Sequence, residues 1–87
     1  MGSHISVIND ADRGCNVSIH TVGKGFEVKS FTVKAHEKVD DSFPQAVWYD
    51  IKFVIDGYET WQIGVYGGSD KKFRVLIKDD NIYVNQI

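Results

Sequence analysis

Eighty-seven residues leave room for one domain and no more, and an apolar fraction of 43% with two Trp, four Tyr and five Phe gives that domain a core rather than leaving it disordered. Ten basic residues against twelve acidic ones, with lysines scattered except at Lys71-Lys72, exclude the clustered positive face that nucleic acid requires. The single cysteine, Cys15, excludes an intramolecular disulfide, and no apolar run is long enough to span a bilayer.

In chain order, Met1-Gly2-Ser3-His4 reads as an expression scar or a start outside the fold, with a single β domain over residues 5–87. No basic start followed by an apolar stretch marks a secretory leader, and both a secreted and a cytoplasmic location fit. The dominant hydrophobic period is two, and β-branched and aromatic residues alternate with polar ones between turn residues. Strands are expected near Ile5–Ile8, Cys15–Val22, Phe26–Lys29, Phe31–His36, Val47–Ile55, Tyr58–Tyr66, Phe73–Lys78 and Ile82–Gln86. Phe26 and Val28 alternate in one phase and Phe31, Val33 and Ala35 in the other, so the third and fourth segments read as one strand with a bulge at Lys29-Ser30. That makes about seven strands and no helix.

Turn chemistry separates these segments. Asp56-Gly57 suits a type I′ hairpin, which needs positive φ at both central residues. Gly23-Lys24-Gly25 and Asp79-Asp80-Asn81 read as tight turns, and Gly67 to Asp70 as a longer one. Residues 37–46, with the only proline at Pro44, read as the longest loop. Gly64, inside a strand, marks a bulge or a close backbone approach.

Phase assigns the core. Cys15, Val17 and Ile19 share a face, as do Tyr49, Ile51, Phe53 and Ile55, then Trp61, Ile63 and Val65, then Phe73, Val75 and Ile77. The opposite faces carry Asn16, Ser18, His20, Asp50, Lys52, Thr60, Gln62, Arg74 and Lys78. One wet and one dry face per strand indicate a small antiparallel β-sandwich, with a closed or partly open barrel as the alternative. The Cys…Trp…Cys spacing of immunoglobulin domains is missing, so only the architecture is assigned.

Aromatics out of phase with this core are the candidate binding residues: Trp48, Tyr58, Tyr66 and Tyr83. Flat rings with one polar edge suit protein partners and stacked sugars alike. Their bland reading is cross-strand packing on a sheet surface. The acidic loops offer weaker calcium candidates, Asp10, Asp12, Asp79 and Asp80. They lack the remaining spaced ligands of a calcium loop, and Asp is common in turns for its own backbone bonds. His20 and His36, both placed in strands, make no zinc signature with one cysteine, and alternation puts Cys15 and His20 on opposite faces. No glycine run has phosphate-binding spacing, and no cofactor is implied.

The expected role is therefore a non-enzymatic recognition module that takes a glycan or a protein through surface aromatics. An oligomerising interface protein that self-assembles through sheet edges, or a toxin-type assembly protein, is the second reading, and a small enzyme the third.

Overall fold

The computed structural model describes residues 2–87, and these contain eight strands and no helix. The strands are β1 (His4–Asn9), β2 (Cys15–Thr21), β3 (Glu27–Val33), β4 (Lys38–Ser42), β5 (Trp48–Ile55), β6 (Tyr58–Tyr66), β7 (Lys71–Lys78) and β8 (Asn81–Gln86). They form two four-stranded sheets, ordered β4-β1-β7-β8 and β3-β2-β5-β6. Neighbours are antiparallel except β1 and β7, which run parallel. The sheets stay separate, so the expected sandwich is what the chain forms, and the barrel alternative is set aside.

Alternation builds the core. Ile5 and Val7 of β1 with Phe73 and Val75 of β7 face Val17 and Ile19 of β2 with Ile51, Phe53 and Ile55 of β5, and all are buried. Burying each such side chain stabilises the fold by about 1.5–3 kcal/mol. Phe53 and Phe73 meet edge to face across the layers, with ring centroids 5.7 Å apart. Asn9 is fully buried but satisfied: its Nδ2 donates to the carbonyls of Arg13 and Val33, and its Oδ1 accepts from the Ala11 N–H. That side chain ties the β1–β2 loop to the end of β3.

Several expectations need correction. Residues 37–46 are not one loop, because Lys38–Ser42 forms β4 and pairs with β1. Just past β4, Phe43 is buried and stacks on Tyr49 at 5.7 Å. The segments between Phe26 and His36 do form one strand as expected, but it spans only Glu27–Val33, and His36 lies in the following turn with φ of 59° rather than in a strand. The bulge exists but sits one step earlier. Ile19 pairs with Lys29 and His20 with Glu27, so Val28 is the inserted residue.

The second bulge has larger consequences. Tyr49 pairs with Val65 whereas Ile51 pairs with Gln62, so β6 carries an extra residue at Ile63-Gly64. Gly64 has φ of 70°, a conformation that costs other residues energy. The bulge inverts the alternation of β6. Val65 stays inside, but Trp61 and Ile63 lie outside, while Thr60 and Gln62 face inward. The sequence reading had these four reversed.

Tight turns follow the expected chemistry. Asp56 and Gly57 have φ of 49° and 80°, as a type I′ hairpin demands. Asp79 and Asp80, at 53° and 61°, repeat that conformation between β7 and β8.

Candidate functional site

The outer face of the β3-β2-β5-β6 sheet carries Trp48, Trp61 and Tyr66 together with Lys52 and Glu59. Register arranges them in rows. Asn16 lies beside Val54 and Glu59, Ser18 beside Lys52 and Trp61, and His20 beside Asp50 and the β6 bulge, with Trp48 opposite Tyr66 at the far end.

Trp48 and Tyr66 form a directly opposed cross-strand pair, with ring centroids 5.1 Å apart and planes tilted by 43°. Both remain open to solvent, at 57% and 37% exposure. Tyr66 keeps its place because Gly68 has no side chain: a Cβ there would overlap the tyrosine ring. Next to this pair is a shallow depression lined by Val22, Gly23, Lys24, Asp50, Ile63 and Gly64. Val22 and Ile63 are its exposed apolar walls. Asp50, two residues from Trp48 on the same face of β5, forms the boundary between the pair and the depression.

Asp50 is almost fully buried, and its oxygens are spent on backbone. Oδ1 accepts from the Gly64 N–H at 3.0 Å and Oδ2 from the Lys24 N–H at 2.9 Å. The Gly64 bond is the main cause that holds this carboxyl below the usual range, against the opposing effect of burial. One carboxylate therefore fastens both the β6 bulge and the β2–β3 turn. The depression keeps no free carboxylate.

Beyond Asp50 the face becomes polar around Trp61. Its indole N–H donates to Glu59 at 3.0 Å, and the ammonium groups of Lys24 and Lys52 stand 5.2 and 5.8 Å from its ring centre. The His20 ring lies 4.9 Å away. His20 Nδ1 faces the Gly25 carbonyl at 2.9 Å, which can only accept, so this nitrogen carries the proton. Nε2 lies 2.9 Å from the Ser18 hydroxyl, which can serve as donor or acceptor. His20 and Asp50 are register neighbours, yet each is bonded elsewhere and they do not form an acid–base pair.

The four aromatics picked from sequence separate. Trp48 and Tyr66 come together. Tyr58 sits at the tip of the Asp56-Gly57 hairpin, opposite the buried Ile55 and therefore in the inward phase, although the strand end leaves it exposed. Tyr83 lies on the other sheet, opposite Leu76. Val22, Ile63 and Trp61 complete the outer face and were missed: Val22 was read as strand, and the bulge hid the other two. Gly64 was the available signal.

The acidic loops find cations within the chain. Asp10 pairs with Arg74 at 3.0 Å, while Arg13 pairs with Asp56 at 2.9 Å and with Asp12 at 3.5 Å. Asp79 and Asp80 form the β7–β8 turn. The described residues contain no group of three or more His, Cys, Asp or Glu arranged to hold a metal ion. Cys15 is buried on the inner face, opposite in phase to His20, and burial pushes its thiol up to about 11.

Fold and face together define a small two-layer β-sandwich with one aromatic-bearing outer sheet. No family model matches the chain, and no curated protein matches it. Among solved structures the chain is similar to one described as the NMR structure of the protein from Eubacterium rectale, with a TM-score of 0.68 and 17% identity over 97% of this chain and 86% of that one. The likeness is one of fold. No helix among the described residues is long and apolar enough to cross a membrane.

Proposed function

We propose that the chain is a non-enzymatic recognition module that binds a protein partner through the apolar end of this outer face, formed by Val22, Trp48, Ile63 and Tyr66. The observation that carries the reading is the exposed Trp48–Tyr66 pair beside a depression whose one carboxylate is already spent. Exposed aromatics clustered with aliphatic residues make protein hot spots, whereas a sugar's many hydroxyls need unspent polar partners next to the ring. Asp50, the carboxylate beside Trp48, is buried and bonded to backbone, and does not offer one.

Immobilised wild-type domain and its Trp48→Ala variant, compared by quantitative mass spectrometry of captured proteins, test the reading together with a glycan array. A defined partner lost at least tenfold from the variant is the expected result, since truncating a central aromatic costs about 2 kcal/mol or more. Partner capture that the variant leaves unchanged removes this face from the proposal. Trp48-dependent glycan binding without a protein partner replaces it with carbohydrate recognition.

A further inference from the structure

The four edge strands are not equally defended against pairing with another chain. β3 is interrupted by the Val28 bulge and turns Lys29 inward, β4 carries Lys38, Asp40 and Asp41, and β6 has the Ile63-Gly64 bulge. These are the usual devices that stop edge-to-edge association. β8 has none of these, and its cover is the Gln62 side chain of β6, bonded to the Val84 carbonyl. It contains no charge, no proline and no glycine, and it pairs with β7 without a register shift from Asn81 to Gln86.

The backbone of β8 presents a defined set of free groups. Asn81 and Lys78 flank a two-residue turn, and the Ile87 N–H bonds to the Lys72 carbonyl, so odd-numbered residues bond to β7. The N–H and C=O of Ile82, Val84 and Gln86 therefore point away from β7. Gln62 Nε2 reaches the Val84 carbonyl at 3.1 Å, which leaves that oxygen a second lone pair.

The side chains select the occupant. Asn81-Ile82-Tyr83-Val84-Asn85 reads nearly the same in both directions. An antiparallel copy centred on Tyr83 sets Tyr opposite Tyr, Ile82 opposite Val84 and Asn81 opposite Asn85, and keeps every residue on its own face. No like charges meet along this stretch, and the aliphatic pairs are those that favour sheet formation. Ile82 and Val84 supply the bonds. We propose that β8 pairs with β8 of a second copy around a twofold axis at Tyr83, joining two β4-β1-β7-β8 sheets into one continuous sheet of the dimer.

This surface is separate from the Trp48 face, so the two proposals fail independently. Sedimentation equilibrium of the full chain is the test, with a dimer of Kd about 1 mM or tighter expected for an edge-only interface. Tyr83→Lys places two ammonium groups opposite each other at the axis on an exposed position, and a loss of association of tenfold or more is expected. Tyr83→Phe retains it. Oxidised Tyr83→Cys is expected to form a cross-linked dimer, because directly opposed residues bring Cβ atoms within disulfide reach. A chain that stays monomeric near 1 mM without the cross-link overturns the proposal. So does association that Tyr83→Lys leaves unchanged.

Discussion

Lys29 of β3 and Asp41 of β4 join at 2.6 Å across one side of the sandwich, although neither strand is hydrogen-bonded to the other. Each projects from the inward phase of an edge strand, opposite Ile19 and Ile5 respectively. The Lys29 ammonium also donates to the Ser42 carbonyl at 2.8 Å. On the other side Gln62 of β6 bonds to β8. Two polar clasps thus close a core whose middle is aliphatic.

Removing one half of the first clasp leaves the other half-buried and charged. Lys29→Met and Asp41→Asn are each expected to lower unfolding stability by about 1–2 kcal/mol, as a lower midpoint in urea with an unchanged slope. The double variant should cost less than the sum of the two, which a double-mutant cycle measures.

Acid should act through Asp41 and Asp50. Burial opposes ionisation of Asp41, but Lys29 and the Ser42 N–H outweigh it and hold its carboxyl low; Gly64 and Lys24 do the same for Asp50. Because both carboxyls are depressed in the folded chain, the unfolded chain binds more protons. Their stabilisation is complete above the ordinary carboxylate pKa of about 4 and is lost as pH falls through the lower folded values. Urea midpoints measured downward from about pH 6 should decline below pH 4, and Asp50→Asn should flatten that decline while lowering stability at neutral pH.

Gly64→Ala meets no steric neighbour, since a Cβ there has nothing within 4 Å, but it is held at φ of 70°. The expected cost is about 1–2 kcal/mol from the left-handed backbone alone. Gly64→Asn should recover part of it. Loss of the bulge would also change the surroundings of Trp61, so indole fluorescence should report the variant before global unfolding.

Cys15 is fully buried with a raised pKa, so a thiol reagent should label the native chain no faster than the fold opens. Labelling should rise steeply through the urea transition and match the unfolded fraction. Rapid labelling without denaturant would contradict the placement of Cys15 in the core.

What could be read from the sequence followed strand alternation. β1, β2, β5 and β7 each bury an uninterrupted set of alternate apolar residues, and Asp56-Gly57 fixes the hairpin between β5 and β6. β4 was invisible because Lys38-Val39-Asp40-Asp41-Ser42 offers one apolar residue to the core and pairs through backbone along an edge. β6 misled for a different reason. Its pattern looks regular, but the extra residue at Gly64 moves Trp61 and Ile63 from core to surface, and composition does not say on which strand a bulge falls. Trp48 and Tyr66 were found because they stand next to the buried Tyr49 and Val65. Their apolar surroundings come from a turn and a bulge, both tertiary features.

The parallel pairing of β1 with β7 ties the two ends of the polypeptide together. Ile5 lies beside Lys71, and Ile87 bonds back to Lys72, so the start of β1 and the end of β8 flank the start of β7 on its two sides. The β3-β2-β5-β6 sheet is complete once residue 66 exists, whereas the other must wait for residues 71–86 to close around β1. During synthesis β1 is therefore held without β7, its parallel partner, until residues 71–78 have emerged. Refolding is expected on the millisecond-to-second scale of proteins dominated by distant pairings. A circular permutant that joins the present ends and opens in the Gly67–Asp70 turn would make the β1–β7 contact local, keep the β5–β6 and β7–β8 hairpins, and should fold faster.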